Sequence, residues 1–520
     1  MTRGPARGRR LAAALAVVLL SGCTYGTAGQ GSTAGGGTTP SPGAAGTAPK
    51  IGFRDCTKQI VPMIQDQPGG GRDLTFDCGT MPVPKDHAKP AAGTLSMFVI
   101  RARLAGQRDR IGSLVINPGG PGGSGVEAAI GLALQLPEAV LRRFDLVGFD
   151  PRGVGLSEPV TCISGALKDE STAADPDARD DAAYAAQKAL AQRVADGCYA
   201  RYGAGLARFN TTATARDLDL LRQALGDAKL SYLGYSYGTL IGSVYATLYP
   251  NRIRSFVLDG AVDPTADERG NAEAQARGFE DAFAEFAKDC AGKGAACPLG
   301  ADPRGFLTRL LAKARTAPIA SAQAGESRKA TAGNVLLAAV AALYDKDDWP
   351  KLTTALADAD RGNAAGVLAL DDEYNQRSAD GKFSNILDAN VTINCADSAK
   401  RLTDATIKAT ITAWRAKYPL FGPPLAVGLI TCQLWKAPRE PLPTVRAPSA
   451  PAILVVGTRH DPATPYASAQ RLTRALGHAV LLTWEGNGHT AYPKTPCVTN
   501  AVNAYLIAGT VPPPSDVCPR

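Results

Sequence analysis

Six short segments of the 520-residue chain are apolar at nearly every position: GSLVIN (112–117), FDLVGFD (144–150), LSYLGY (230–235), RSFVLDG (254–260), PAILVVG (451–457) and AVLLTWE (479–485). Runs this short and this continuous fit strands covered on both faces, the condition of a parallel sheet. Stretches with a helical period lie between them, such as TARDLDLLRQALG (214–226) and ASAQRLTRALG (467–477), each stopped by a glycine. Alternation of the two predicts an α/β fold with a mostly parallel sheet. Upstream, GTLSMFVIRARL (93–104) reads as a strand of an opening antiparallel hairpin.

The pattern breaks between Gly260 and Pro451, where AEAQARGFEDAFAEFAKDC (272–290) and NVLLAAVAALYDKDDWPKLTTALADADRG (334–362) are helical in period and rich in Ala, Asp and Lys. A helical insertion placed after a strand reads as a cap. The expected division is therefore a core from 51–264, a helical cap from 265–448 and a second core part from 449–520.

The chain start changes the picture of the compartment. Arg3, Arg7, Arg9 and Arg10 precede the apolar run LAAALAVVLL (11–20), too short for a comfortable bilayer span but suited to a secretory signal over residues 1–22. The segment LSGC, ending at Cys23, resembles a bacterial lipobox, which implies cleavage before Cys23 and acylation of its thiol. Residues 23–50 are rich in Gly, Ala, Thr, Ser and Pro and read as a flexible tether. The expectation is an exported protein, held to the outer face of the membrane by a lipid or secreted.

Charge and cysteine use agree with export. Removing the four signal arginines lowers the formal charge from +8 to +4, and no Lys/Arg-rich run remains, so nucleic acid is not an expected partner. Apart from Cys23, ten cysteines remain, an even number that suggests disulfides outside the cytosol. Pairing neighbours gives Cys56–Cys78, Cys162–Cys198, Cys290–Cys297, Cys395–Cys432 and Cys497–Cys518, although sequence cannot fix connectivity. With no close CxxC pair and four histidines, neither a metal nor another cofactor is expected.

The chemistry centres on GYSYG, which matches G-x-S-x-G at Gly234, Ser236 and Gly238 between a strand and the helical stretch TLIGSVYATLYP (239–250). Such a turn is sharp and strained, and small neighbours let strand and helix approach while the serine is exposed for attack. A strand–turn–helix packing serine gives the same pattern, so partners are needed. A nucleophilic serine requires a base, and the base an orienting acid, in the chain order Ser, Asp or Glu, His on loops after late strands. Asp461 follows the strand PAILVVG and His489 follows AVLLTWE, which meets that order. Asp145, Asp150 and Asp259 also sit at strand edges. His460 adjoins Asp461, His478 lies at a helix end where a cation suits the dipole, and His87 belongs to the early hairpin. Thr464 could steady the Asp461 turn through its hydroxyl.

An oxyanion hole completes the set. NPGGPGGSG (117–125) follows the strand GSLVIN, and its glycines let backbone N–H groups face a developing oxyanion. Gly120 N–H and Tyr237 N–H are the expected donors, with the rings of Tyr235 and Tyr237 packed against the cap. The same loop satisfies G-x-G-x-x-G with Asp150 ending the next strand, a dinucleotide pattern. Pro118 and Pro121 would crowd a loop presenting amides to pyrophosphate, and an exported protein would not normally meet that cofactor.

Together SLVINPGGPGGSG, FDLVGFDPRGVGLSEP, LSYLGYSYGT, VLDGAVDP, INCAD and HDPATP resemble the α/β-hydrolase serine peptidases of the tripeptidyl aminopeptidase type, relatives of prolyl aminopeptidase. Prolyl aminopeptidases usually open the oxyanion loop with His-Gly, whereas Pro118 holds the His place here, as in the tripeptidyl branch. The resemblance covers nearly the whole folded chain. It implies hydrolysis of a peptide or protein from a free N-terminus, with Ser236 as nucleophile, His489 as base and Asp461 as orienting acid. Such an enzyme needs an acid for the substrate ammonium. Asp397 in INCADS is one candidate, Glu158 a second, and Asp371, Asp372 and Glu373 read more simply as solvated helix-end charge. A carboxylesterase acting on acyl esters is the alternative activity, since both reactions pass through an acyl-enzyme. A non-catalytic envelope binding protein on the same fold is the third reading, disfavoured by an intact triad.

Overall fold

The computed structural model describes residues 49–520. The expected signal segment, Cys23 and all but the last two residues of the expected tether lie outside the described residues.

Ten strands make one sheet: β1 (Arg54–Asp55), β2 (Leu74–Pro84), β3 (Thr94–Leu104), β4 (Gly112–Asn117), β5 (Phe144–Phe149), β6 (Leu230–Tyr235), β7 (Ile253–Asp259), β8 (Ile453–His460), β9 (Ala479–Asn487) and β10 (Val517–Cys518). Their spatial order is β1-β2-β3-β5-β4-β6-β7-β8-β9-β10. β1, β2 and β3 pair antiparallel, β3 joins β5 antiparallel, and every pairing from β5 onward is parallel. All six apolar segments are strands, and 93–104 is the second strand of the opening hairpin.

The apolar runs work because the strand period of two sorts each of them into two cores. Along β6, Leu230 and Tyr232 enter one layer, while Leu233 and Tyr235 enter the other. The helices that cover these layers are α1 (Gly125–Gln135), α3 (Thr211–Ala224), α4 (Tyr237–Leu248), α11 (Tyr466–Leu476) and α12 (Pro496–Ala508). The first layer is covered by α3, α4 and α11, and the second by α1 and α12. Each large side chain so buried contributes about 1.5–3 kcal/mol.

Between β7 and β8 rises a helical body that includes α5 (Glu268–Ala291), α6 (Ala332–Leu343), α7 (Ala365–Asn375), α8 (Ile386–Asp397), α9 (Asp404–Lys417) and α10 (Gly422–Gln433). It has its own aromatic core around Phe279, Phe283, Phe286, Trp349 and Phe421. Its membership differs from the sequence division at two places. Helix α2 (Asp181–Tyr202), expected in the core, packs Tyr184 and Ala191 against Ile407, Ile411 and Trp414 of α9, and Tyr184 OH donates to Asp404 at 3.0 Å. It leaves the sheet from the C-terminal edge of β5, the same edge from which the larger insertion rises, so the two segments meet. Near the other end, Val445 and Ala447 pack with Leu472 and Leu476, and Ala447 N–H donates to Leu476 O at 2.9 Å. The chain has thus returned to the core before residue 448.

Five disulfides join Cys56–Cys78, Cys162–Cys198, Cys290–Cys297, Cys395–Cys432 and Cys497–Cys518. Two of them, Cys162–Cys198 and Cys395–Cys432, sit in one cluster with Leu206 and Trp435 and tie α2, α8 and α10 together above the sheet edge.

Candidate active site

Ser236 occupies the turn between β6 and α4 with φ 54° and ψ −124°, a left-handed conformation that costs a non-glycine residue about 1–3 kcal/mol. The surroundings hold it there. Its N–H donates to Asp259 O at 2.9 Å, and its carbonyl accepts from Thr239 N–H at 2.9 Å and Thr239 Oγ1–H at 2.6 Å. Both motif glycines are required by close approach: a Cβ on Gly234 would lie 2.6 Å from Gly238 O, and one on Gly238 would lie 2.6 Å from Asn117 O.

The late strands deliver the partners. Asp461 is buried and accepts from Ala463 N–H at 2.9 Å, Thr464 N–H at 2.8 Å and Thr464 Oγ1–H at 3.0 Å. His489 Nδ1 stands 2.9 Å from each Asp461 carboxylate oxygen. A carboxylate only accepts, so Nδ1 carries the hydrogen, and in the neutral ring this leaves Nε2 the lone pair that a base requires. Nε2 is buried and has no hydrogen-bond partner among the described residues. The His489 ring and the Ser236 turn converge on one dipeptide. Asp259 O holds Ser236 N–H, and a Cβ on Gly260 (φ 68°) would lie 2.9 Å from His489 Cε1.

Asp259 is not an alternative acid but a clamp. Its carboxylate accepts Ala491 N–H at 2.9 and 3.1 Å and Tyr492 N–H at 2.8 Å, fixing the loop that carries His489. Burial pushes its carboxyl up to about 6 against the opposing pull of those amides and of His489. The sequence marked it only as one of several strand-end acids. Of the others, Asp145 pairs with Arg110 at 2.9 Å, and Asp150 accepts Ser124 Oγ–H at 2.6 Å, Leu156 N–H at 2.8 Å and Val126 N–H at 3.2 Å. Asp150 therefore fastens the glycine loop to the sheet, with its carboxyl raised by burial; it is not free to take a ribose hydroxyl.

In the glycine loop the residue packed against Ser236 is Gly119, next to Gly120, the expected N–H donor. A Cβ on Gly119 would lie 2.8 Å from Ser236 Cβ and 2.9 Å from Tyr237 N. Its own N–H donates to Asn117 Oδ1 at 3.0 Å. Gly120, in the cis peptide with Pro121, and Tyr237 each keep a backbone N–H with no protein acceptor among the described residues. Helix α8 roofs this loop: Asn390 Nδ2–H donates to Pro121 O at 3.1 Å, and a Cβ on Gly122 would lie 2.8 Å from Ile386 O.

The other expected residues divide. Asp397, half-buried at the end of α8, accepts Thr211 N–H at 3.0 Å and Thr211 Oγ1–H at 2.6 Å. Thr211 Oγ1 in turn accepts Tyr237 OH at 2.5 Å, so this carboxylate stands two hydrogen bonds from the residue following Ser236. Burial raises Asp397 to about 7. The ring of Tyr237 faces α8 as expected, but Tyr235 does not reach the cap; it points into the opposite layer beside Ala491 and Tyr492, because strand alternation sends it through the sheet.

Glu158 is exposed and accepts Ser96 N–H at 2.7 Å, a bond to the hairpin rather than to the catalytic turn. Asp371 is buried between Asn334 and Asn375, Asp372 pairs with Arg328, and Glu373 is exposed. His87 is held by Asp217 and Arg152, His460 meets Arg520, and His478, just after the end of α11, donates through Nδ1–H to Ala450 O at 2.6 Å. Among the described residues no group of three or more His, Cys, Asp or Glu is placed to hold a metal.

A strained serine on a strand–helix turn and a His–Asp pair on the loops after β8 and β9 of a parallel sheet define a serine hydrolase of the α/β type. The chain belongs to the TAP-like family of these enzymes. A family model described as TAP-like protein matches residues 418–518. Serine protease Hip1 of Mycobacterium tuberculosis is 39% identical over 459 residues, covering 85% of this chain and 87% of the relative. Carboxylesterase B of the same organism is 36% identical over 504 residues, 94% of each chain. Tripeptidyl aminopeptidase of Streptomyces coelicolor is 30% identical over 444 residues, covering 84% and 81%.

Proposed function

We propose that this chain is an exported serine peptidase that releases short peptides, tripeptides foremost, from free N-termini through an acyl-enzyme on Ser236. The observation that carries the proposal is the His489–Asp461 pair: His489 Nε2 is buried and has no hydrogen-bond partner among the described residues, and the ring lies beside Gly260, next to the Asp259 carbonyl that holds Ser236 N–H. His489 Nε2 takes the proton as Ser236 Oγ attacks the peptide carbonyl. Asp461 stabilises the imidazolium, and Gly120 N–H and Tyr237 N–H receive the oxyanion. The imidazolium proton then passes to the leaving amine as the C–N bond breaks, and water repeats the sequence to free the acyl group.

Asp397 is the proposed partner of the substrate ammonium, since it is an acid linked to Tyr237 through Thr211, its hydrogen-bond partner among the described residues. Because burial holds its carboxyl near 7, ammonium binding weakens as pH falls through that value. The five disulfides support folding in an oxidising compartment, and we propose anchoring through a lipid on Cys23. No helix among the described residues is long and apolar enough to cross a membrane. The name of the second relative supports esterase activity at the same triad.

The test compares a chromogenic tripeptide amide bearing a free amine with its N-acetylated twin, alongside a short-chain ester, in wild type, Ser236→Ala and Asp397→Asn. Cleavage of the free amine alone, lost in Ser236→Ala and reduced in Asp397→Asn, supports the reading. Turnover of the ester with both peptides resistant replaces it by the carboxylesterase.

A further inference from the structure

The wall beside the catalytic histidine is aromatic, and part of it faces solvent. The loop after α6 runs against the His489 loop: His489 N–H donates to Tyr344 O at 2.7 Å, and Asp345 and Gly488 form an antiparallel bridge. The Tyr344 ring meets the imidazole edge to face, with centroids 5.3 Å apart and planes at 86°. Tyr374, from α7, packs on Tyr344 at 5.8 Å. Behind them Phe279 lies 6.0 Å from Tyr344 and 5.5 Å from Phe421, so a row of rings runs from the cap core to the catalytic base.

Tyr374 ends this row and is 37% exposed. Burial nevertheless pushes its phenol up from the ordinary value. The ring is packed on Tyr344 on one side and open to water on another. The charges nearby are of both signs: Asp345 pairs with Lys494 at 3.2 Å, and Glu373 stands near Lys351 and Asp348.

In acyl transfer the imidazolium returns its proton to the leaving amine, so that amine must lie against Nε2 as the bond breaks. Its side chain then meets whatever surface flanks the ring. We propose that Tyr344 and Tyr374 form the subsite for the residue directly after the scissile bond, and that they select an aromatic or large aliphatic side chain there. This inference rests on the serine-peptidase reading above. A tyrosine offers such a side chain a broad apolar face at small entropic cost, and ring pairs gain from edge and offset geometries. Tyr374 is then a specificity-determining residue, acting on the leaving group and not on the acyl half.

The test uses peptides that share one N-terminal tripeptide and differ only in the following residue: Phe, Leu, Ala, Gly or Asp. The methyl ester of the tripeptide is included, and kcat/KM is measured by chromatography for wild type, Tyr374→Ala and Tyr374→Phe. Wild type is expected to favour Phe and Leu over Gly by about tenfold, the scale of one apolar side chain in a pocket. Tyr374→Ala collapses that ratio toward one, and Tyr374→Phe keeps it, because the ring and not the hydroxyl provides the surface. The readout is a ratio within each variant, which a general folding defect leaves in place. A wild type that cleaves all five peptides equally, or a Tyr374→Ala variant that retains the Phe/Gly ratio, overturns the subsite. A wild type that hydrolyses the ester and none of the peptides overturns the peptidase reading and the subsite with it.

Discussion

Asp259→Asn is expected to make the protein more stable at alkaline pH and less active. The carboxyl of Asp259 is fully buried and raised from its ordinary 3.8 to about 6, with burial as the largest cause. The folded chain therefore binds a proton more readily than the unfolded chain, and stability falls as pH rises between about 4 and 6. A shift of that size corresponds to about 3 kcal/mol once both states are ionised. Asparagine has the shape of the neutral acid and keeps one oxygen for the N–H groups of Ala491 and Tyr492, but it never bears the buried charge.

The variant should match wild type at pH 4 and exceed it by about 2–3 kcal/mol at pH 8. For a chain of this size that is about 2–5 °C in Tm, extending the trend that each kcal/mol moves larger domains less. Activity moves the other way. The ionised carboxylate favours the imidazolium that forms at His489, so its loss lowers kcat by about tenfold. The experiment is thermal or urea unfolding at both pH values together with kcat at pH 8. A Tm difference that stays the same at pH 4 and pH 8 would refute the reasoning, because Asp259 would then carry no burial cost.

Two further outcomes follow from the same geometry. Thr464→Val removes the hydroxyl that donates to Asp461 at 3.0 Å and leaves the Thr464 and Ala463 amide bonds in place. One hydrogen bond to a charged acceptor predicts a fall in kcat of about tenfold with KM nearly unchanged; an unchanged kcat in steady-state assays would remove Thr464 from the orienting role. Cys395 and Cys432 are 37 residues apart, and a loop of that length predicts about 4 kcal/mol lost from the Cys395→Ala/Cys432→Ala pair by the chain-entropy account. Because that bridge carries α8, which roofs the glycine loop, a urea titration followed by activity should show inactivation at lower denaturant than unfolding of the sheet. Coincident midpoints would contradict it.

Much of the site was legible because local chemistry demanded it. A serine forced to positive φ needs glycines on either side, and acids and bases that act at a parallel sheet stand at strand ends, so Ser236, Asp461 and His489 stood out as candidates, and the structure brings Asp461 and His489 within hydrogen-bond distance. The glycine loop was legible as a loop, whereas the sequence did not tell that Gly119 lies against Ser236 Cβ with its N–H taken by Asn117 while Gly120 N–H has no acceptor among the described residues. Asp397, in an apolar stretch beside Cys395, and Glu158, after the strand ending at Asp150, were both candidate acids, and the fold sent Glu158 to the hairpin and Asp397 to Tyr237 through Thr211.

The sequence by itself determined the alternation of strand and helix, the order of the triad and the place of the helical insertion, because periodicity and turn chemistry act over a few residues. The tertiary structure alone decided which segments share the cap, which strand-end acid meets His489 and which clamps its loop, and which rings face that histidine. Those outcomes depend on residues tens to hundreds of positions apart meeting at one sheet edge. Asp259 and Ala491 are 232 positions apart, and nothing in the local pattern of either announces the bond between them.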